Sequence, residues 1–138
     1  MKRAASRSKP MTGSFLLDTN AVISDFAGDR SLQLLLSGGK ISVPSVVIGE
    51  LYYGAYKSSR TAENVARLVE LTQKIRVLAC DEVTAQWYGR IKNDLRGMGR
   101  PIPQNDLWIA ATAMQYGLTL VTRDAHFANV KGLAIQTW

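Results

Sequence analysis

The sequence predicts an α/β domain, with a central parallel sheet of about five strands covered by helices on both faces. Two observations carry this expectation. Short apolar or β-branched runs alternate along the chain with segments of helical spacing, and Gly, Pro and Ser breakers fall at the joins. The 138 residues, 46% apolar and 20% charged, suffice for one well-buried core and are too few for two comfortable domains.

The elements follow in order. Residues 1–12 open with Lys2, Arg3, Arg7 and Lys9, which supply four of the six net positive charges. This Ser- and Arg-rich segment reads as a disordered tail outside the fold, with Met11 as a second candidate start; its reach to phosphates would be non-specific. The folded domain is expected over 13–138 and is only mildly basic. Its first strand is "SFLLDTN", followed by helical segments "AVISDFAG" and "RSLQLLLSGG". The "SGGK" breaker leads into the strand "ISVPS", then the helices "VVIGELYYGAYKSS" and "TAENVARLVELTQK". A third strand, "IRVLAC", precedes the helix "DEVTAQWYGRIKNDLRGMG", and "GMGRPIP" separates that helix from "PQNDLWIAATAMQYG". Gly117 is placed to stop this last helix before the strands "LTLVTRD" and "LAIQTW".

Several classes of function are disfavoured at once. One cysteine, Cys80, and one histidine, His126, cannot build a Cys/His zinc site or an internal disulfide, which favours a reducing, cytoplasmic setting. No apolar run approaches the roughly 18 residues that a membrane span needs, and the basic N-terminus has no apolar secretory core. Cys80 is read as a small core residue. "DAHF" is read as a short capped turn anchored by Phe127, which makes His126 a weak candidate for a general base.

In an open parallel sheet, ligands bind beyond the carboxyl ends of the strands. Asp18 and Asp124 close two strands there. Glu50 lies early in the helix after "ISVPS", and Asp106 lies early in the helix that feeds "LTLVTRD". Glu50 shares a helical face with Val46, Val47, Leu51 and Gly54, and Asp106 shares one with Ile109, Ala110 and Ala113. Carboxylates on inward faces are costly without a partner, and these faces offer no Lys or Arg. Each residue has a plainer reading: Asp18 and Asp124 can cap helices, and Asp106 can complement a helix N-terminus. Four such caps need not converge on one edge, however, and their convergence points to a hard, oxygen-ligand cation, Mg2+ or Mn2+.

"LLDTN", "VPSVVIGELYYG", "NDLWIAATA" and "LVTRDAHF", in this order and spacing, resemble the PIN-domain ribonucleases, and among them the VapC-type toxins of bacterial toxin–antitoxin pairs. The resemblance runs from about Ser14 to Trp138. It implies a three-layer α/β/α PIN-like fold and a Mg2+-dependent endoribonuclease, with Mn2+ as substitute. Asp18, Glu50, Asp106 and Asp124 match the family's acidic positions; the fourth is Asn or Asp in such proteins. On the same resemblance, Asp18 and Asp106 are the first metal ligands, Glu50 and Asp124 bind directly or through water, and Thr122, Asn20 and Thr19 support the site. The implied partners are an RNA substrate, a VapB-like antitoxin and a second copy of the chain. The aromatic helix "ELYYGAY" and the run "RSLQLLLSGG" suit such interfaces, since they hold more apolar surface than a small sheet can bury.

Arg123 is read as a surface arginine, with phosphate contact as a second possibility. Rival functions share this fold class. A haloacid-dehalogenase-like phosphatase also begins on a strand-end Asp, but its D-x-D-x-T pattern requires Asp where this chain has Asn20. A PIN-like adaptor would bind RNA or protein without cleaving. A housekeeping RNA-processing PIN nuclease would keep the chemistry and change the biological role.

Overall fold

The computed structural model describes residues 13–138; the predicted basic tail lies outside the described residues. Five strands, β1 (Ser14–Leu17), β2 (Lys40–Pro44), β3 (Arg76–Leu78), β4 (Thr119–Val121) and β5 (Ile135–Gln136), form one sheet in the order β3-β2-β1-β4-β5. Every neighbouring pair is parallel, as predicted from the strand–helix alternation. Six helices join them: α1 (Thr19–Phe26), α2 (Arg30–Leu36), α3 (Ser45–Tyr56), α4 (Thr61–Lys74), α5 (Glu82–Gly97) and α6 (Gln104–Tyr116). A 3-10 turn, Ala125–Asn129, follows β4.

The chain leaves β1 toward β2 and β3, then crosses back to β4 and β5 on the other side of β1. Right-handed crossovers therefore put α1 to α4 on one face and α5 and α6 on the other, the three-layer α/β/α arrangement. The reversal of direction makes the β1/β4 junction the switch point, and there Leu17 pairs with Val121. Two residues that each follow one of these strands are thereby brought side by side although more than a hundred positions separate them in sequence.

The core explains why the central strands read as continuous apolar runs. Leu16, Val43, Leu120 and Val121 are fully buried between the two helical layers. From the helices, Val47 and Leu51 of α3 and Ile109, Ala110 and Ala113 of α6 pack against them. These are the same helical faces that carry Glu50 and Asp106. α6 stops where its sequence says it must: Gly117 adopts φ 64°, and its backbone N–H bonds to the Ala113 carbonyl.

Two expectations are corrected in detail. Cys80 is exposed and not a core residue, because β3 ends at Leu78 and the chain turns outward so that Asp81 can cap α5 through the Thr84 amide and hydroxyl. The strands are also shorter than the apolar runs that announce them, β5 being only Ile135–Gln136.

Gly39 fixes the entry to β2. A Cβ there would lie 2.7 Å from the Phe15 ring and 2.9 Å from the Gly13 carbonyl oxygen, so β1 and β2 can begin side by side only with hydrogen at this position. We expect Gly39→Ala to lower the unfolding free energy by about 1–3 kcal/mol, measured by urea denaturation; an unchanged midpoint would show that the strand start relaxes freely.

Candidate metal centre at the carboxyl edge of the sheet

Asp18 follows β1 in an extended conformation, φ −82° and ψ 178°, and caps α1 by accepting the Ala21 amide at 2.8 Å. Its cap role occupies Oδ1 only. Oδ2 accepts the Thr122 hydroxyl at 2.5 Å, across the β1/β4 junction. The Thr122 oxygen in turn accepts the Asp124 amide at 3.0 Å. One buried threonine thus joins both strand ends and sets the direction in which Asp124 leaves β4. Asp124 precedes the 3-10 turn without capping it by its side chain.

The other two carboxylates arrive on helices. Glu50 projects from α3; its Oε1 accepts the Thr19 hydroxyl at 2.5 Å and its Oε2 accepts the Asn105 amide group at 3.0 Å. These two bonds tie α3 to the start of α1 and to the start of α6. Asp106 lies in the first turn of α6, where the helix dipole favours negative charge. Its Oδ2 is 2.8 Å from His126 Nε2. The structure thus brings Asp18, Glu50, Asp106 and Asp124 to the same edge of the sheet, with Thr19 and Thr122 bonded to them.

Electrostatics sets this cluster apart from ordinary caps. Asp18 is only 3% exposed, and burial raises its pKa above the ordinary value; the Thr122 and Ala21 hydrogen bonds work against that rise, while the charges of Asp124 and Asp106 add to it. Asp106 is likewise raised, first by burial and then by Asp124 and Glu50, with His126 opposing. The contrast is Asp29, a half-buried cap whose pKa is lowered by the Ser31 hydroxyl and the Leu32 amide. Among the described residues, no Lys or Arg forms a salt bridge with any of the four. Two desolvated carboxylates, Asp18 and Asp106, beside Glu50 and Asp124 and without a Lys or Arg partner, are a donor set that fits a divalent cation.

Three residues differ in role from what their sequence positions suggest, and a fourth, Arg123, keeps the surface role read for it. The Asn20 side chain is exposed and makes no hydrogen bond among the described residues, whereas Asn105, in sequence only the neighbour of Asp106, braces Glu50. His126 does belong to a short turn, with Phe127 as its fully buried anchor, but the imidazole reaches Asp106. Its position two residues past Asp124, as the sole histidine, is the signal in the sequence. Arg123 points away from the site: its Nε donates to the Trp138 carbonyl at 2.9 Å, and its guanidinium lies 4.4 Å from the Trp138 ring centre and 4.0 Å from Asp29. It clamps the last residue to the start of α2.

A doubly wound sheet with a carboxylate cluster at its switch point is an α/β architecture whose donor set fits a divalent metal. The chain belongs to the PIN-domain family, whose model matches residues 15–133, and its relatives place it among the VapC-type ribonucleases. It is 35% identical over 129 residues to Ribonuclease VapC2 of Haemophilus influenzae, covering 90% of this chain and 97% of that one. It is 34% identical, with the same coverage, to the tRNA(fMet)-specific endonuclease VapC of Shigella flexneri. Among solved structures, VapBC2 from Rickettsia felis, bound to a DNA fragment from its promoter, superposes with a TM-score of 0.82 at 27% identity, over 90% of this chain and 98% of that one. DNA-bound VapBC from Salmonella typhimurium gives 0.81 at 29% identity, over 91% and 98%.

The raised pKa of Asp18 has a signed consequence. A carboxyl whose pKa is higher in the fold than in the unfolded chain destabilises the fold when ionised, and the penalty disappears as pH falls through the folded pKa. In metal-free protein, Asp18→Asn is therefore expected to melt above the parent at pH 7, with the difference narrowing on acidification, as followed by circular dichroism. An Asp18→Asn protein that melts below the parent at pH 7 would contradict this assignment.

Proposed function

We propose that the protein is the endoribonuclease toxin of a toxin–antitoxin pair and hydrolyses RNA phosphodiester bonds with Mg2+, or Mn2+ in its place. The observation that carries this reading is the convergence of Asp18, Glu50, Asp106 and Asp124 in a partly desolvated cluster at the switch point of a PIN fold. In this role Asp18 and Asp106 hold the cation, and Glu50 and Asp124 bind it directly or through water. Such a cation would compensate charge on the phosphoryl oxygens and would lower the pKa of a bound water so that hydroxide is available as nucleophile near neutral pH. Thr122 and Thr19 position the carboxylates, Thr122 by holding Asp18 and the Asp124 backbone together and Thr19 by holding Glu50. Asn105 keeps the other Glu50 oxygen turned toward α6.

The partner surfaces support the same reading. A groove of about 400 Å³ runs beside Thr19 and Glu50, with Ile23, Phe26, Leu51 and Leu68 in its walls. An apolar groove that reaches the carboxylate cluster suits a VapB-like antitoxin segment, which would cover the site when seated there. Leu34, Tyr53 and Tyr56 are each more than 60% exposed, and an apolar surface of this kind suits a homodimer. No helix among the described residues is long and apolar enough to cross a membrane.

The test is cleavage of mixed cellular RNA by purified protein in Mg2+, Mn2+ or chelator. Cutting is expected with either metal and none with chelator, and Asp18→Asn and Asp106→Asn proteins that remain folded should lose it to background. RNA bound but left whole under both metals would contradict the nuclease and make the protein a PIN-like adaptor.

A further inference from the structure

His126 is the one group in the cluster that the carboxylate chemistry leaves unused. It is the only histidine in the chain, and it is not a loose surface side chain. The 3-10 turn that carries it is fastened by Phe127, fully buried, and by the Phe127 amide on the Asp124 carbonyl. The imidazole packs on the Phe127 ring, with ring centres 4.8 Å apart, and is 31% exposed. The same turn starts from Asp124, so Asp124 and His126 reach the site from one short rigid segment, while Asp106 meets them from the start of α6.

The spacing of the donor atoms is informative. Asp106, Asp124 and His126 each offer one ligand atom, and the three atoms lie within 4.8 Å of one another. His126 Nε2 and Asp106 Oδ2 are 2.8 Å apart. Adjacent ligands of an octahedral ion with bonds of about 2.1 Å lie about 3 Å apart, so these two atoms already have the separation of neighbours in one coordination shell. We propose that His126 binds the divalent cation directly through Nε2, together with Asp106 and Asp124, and that the site is therefore a mixed nitrogen and oxygen centre that selects Mn2+ over Mg2+. Imidazole suits transition metals, whereas Mg2+ is served by oxygen donors. The hydrogen bond between His126 and Asp106 gives way to the cation, and any Nε2 proton passes to solvent as the metal enters. This inference rests on the metal-site reading above and deepens it by adding a ligand and by making Mn2+, and not Mg2+, the preferred ion.

The measurement is pulsed electron paramagnetic resonance of Mn2+ bound to the untagged full chain, in a buffer free of nitrogen ligands. With one histidine in the sequence, an imidazole nitrogen coupling on bound Mn2+ can come only from His126. The coupling is expected in the parent and absent in His126→Ala, and in His126→Gln the ratio of Mn2+ to Mg2+ affinity should fall about tenfold. The parent spectrum alone decides the question even if both variants fold poorly. Bound Mn2+ without nitrogen coupling would overturn the histidine ligand and leave a carboxylate metal site standing. Failure of Mn2+ to bind the parent at all would overturn both.

Discussion

The structure depends on how one buried carboxylate is held. Asp18 leaves the central strand of the sheet and meets almost no solvent, so its negative charge survives only through the partners the fold supplies. Thr122 is the partner that matters most, because its hydroxyl donates to Asp18 and its oxygen receives the Asp124 amide. That single side chain converts the β1/β4 pairing into a fixed relation between two acidic groups. Removing it would leave a buried acceptor unsatisfied, which costs about 1–3 kcal/mol in a protein interior, and would free Asp124 to turn elsewhere.

The remaining geometry is arranged around this junction. Glu50 and Asp106 come from helices on opposite faces of the sheet, and the Glu50 to Asn105 bond links the two layers over the sheet edge. Glu50 and Asp106 are delivered by helices and Asp18 by the end of β1, their register set by buried leucines, valines and alanines, whereas Asp124 lies just past β4 and is held by the Thr122 hydroxyl. A site built in this way is preorganised: the cost of assembling four like charges is met by folding, before any ligand arrives. The open groove beside Glu50 is apolar and the cluster is acidic, so a peptide partner and a cation can be recognised by neighbouring surfaces of different chemistry.

Much of this is legible in the residues. The alternation of apolar runs with helical segments dictates the fold class, since a parallel sheet needs crossovers and buries both faces of its strands. The convergence of Asp18, Glu50, Asp106 and Asp124 follows from the rule that strand ends and helix starts share one edge. What the sequence hides is set by contacts between distant parts of the chain. His126 looks like a turn residue because its role depends on the path of Ala125–Asn129 over Phe127, and Asn105 looks like a helix-start residue until Glu50 is placed opposite it. Arg123 reads as a surface arginine and is one, but only its distant partners Trp138 and Asp29 decide where it goes. Cys80 misleads because hydrophobic runs mark that a strand exists and do not mark where it ends.

The central claim is that the fold desolvates Asp18 and Asp106 beside two further carboxylates, a cluster of like charge that a divalent cation relieves. The most direct measurement is the unfolding temperature of the parent protein at pH 7, in chelator and then in excess Mg2+ or Mn2+. Binding to the folded state alone should stabilise it, by about 2.7 kcal/mol at a hundred times the dissociation constant, and the midpoint should rise clearly with metal, with a much smaller rise in Asp106→Asn. A midpoint unmoved by either ion would contradict the account, because the cluster would then be a tolerated strain of the fold with no cation to relieve it.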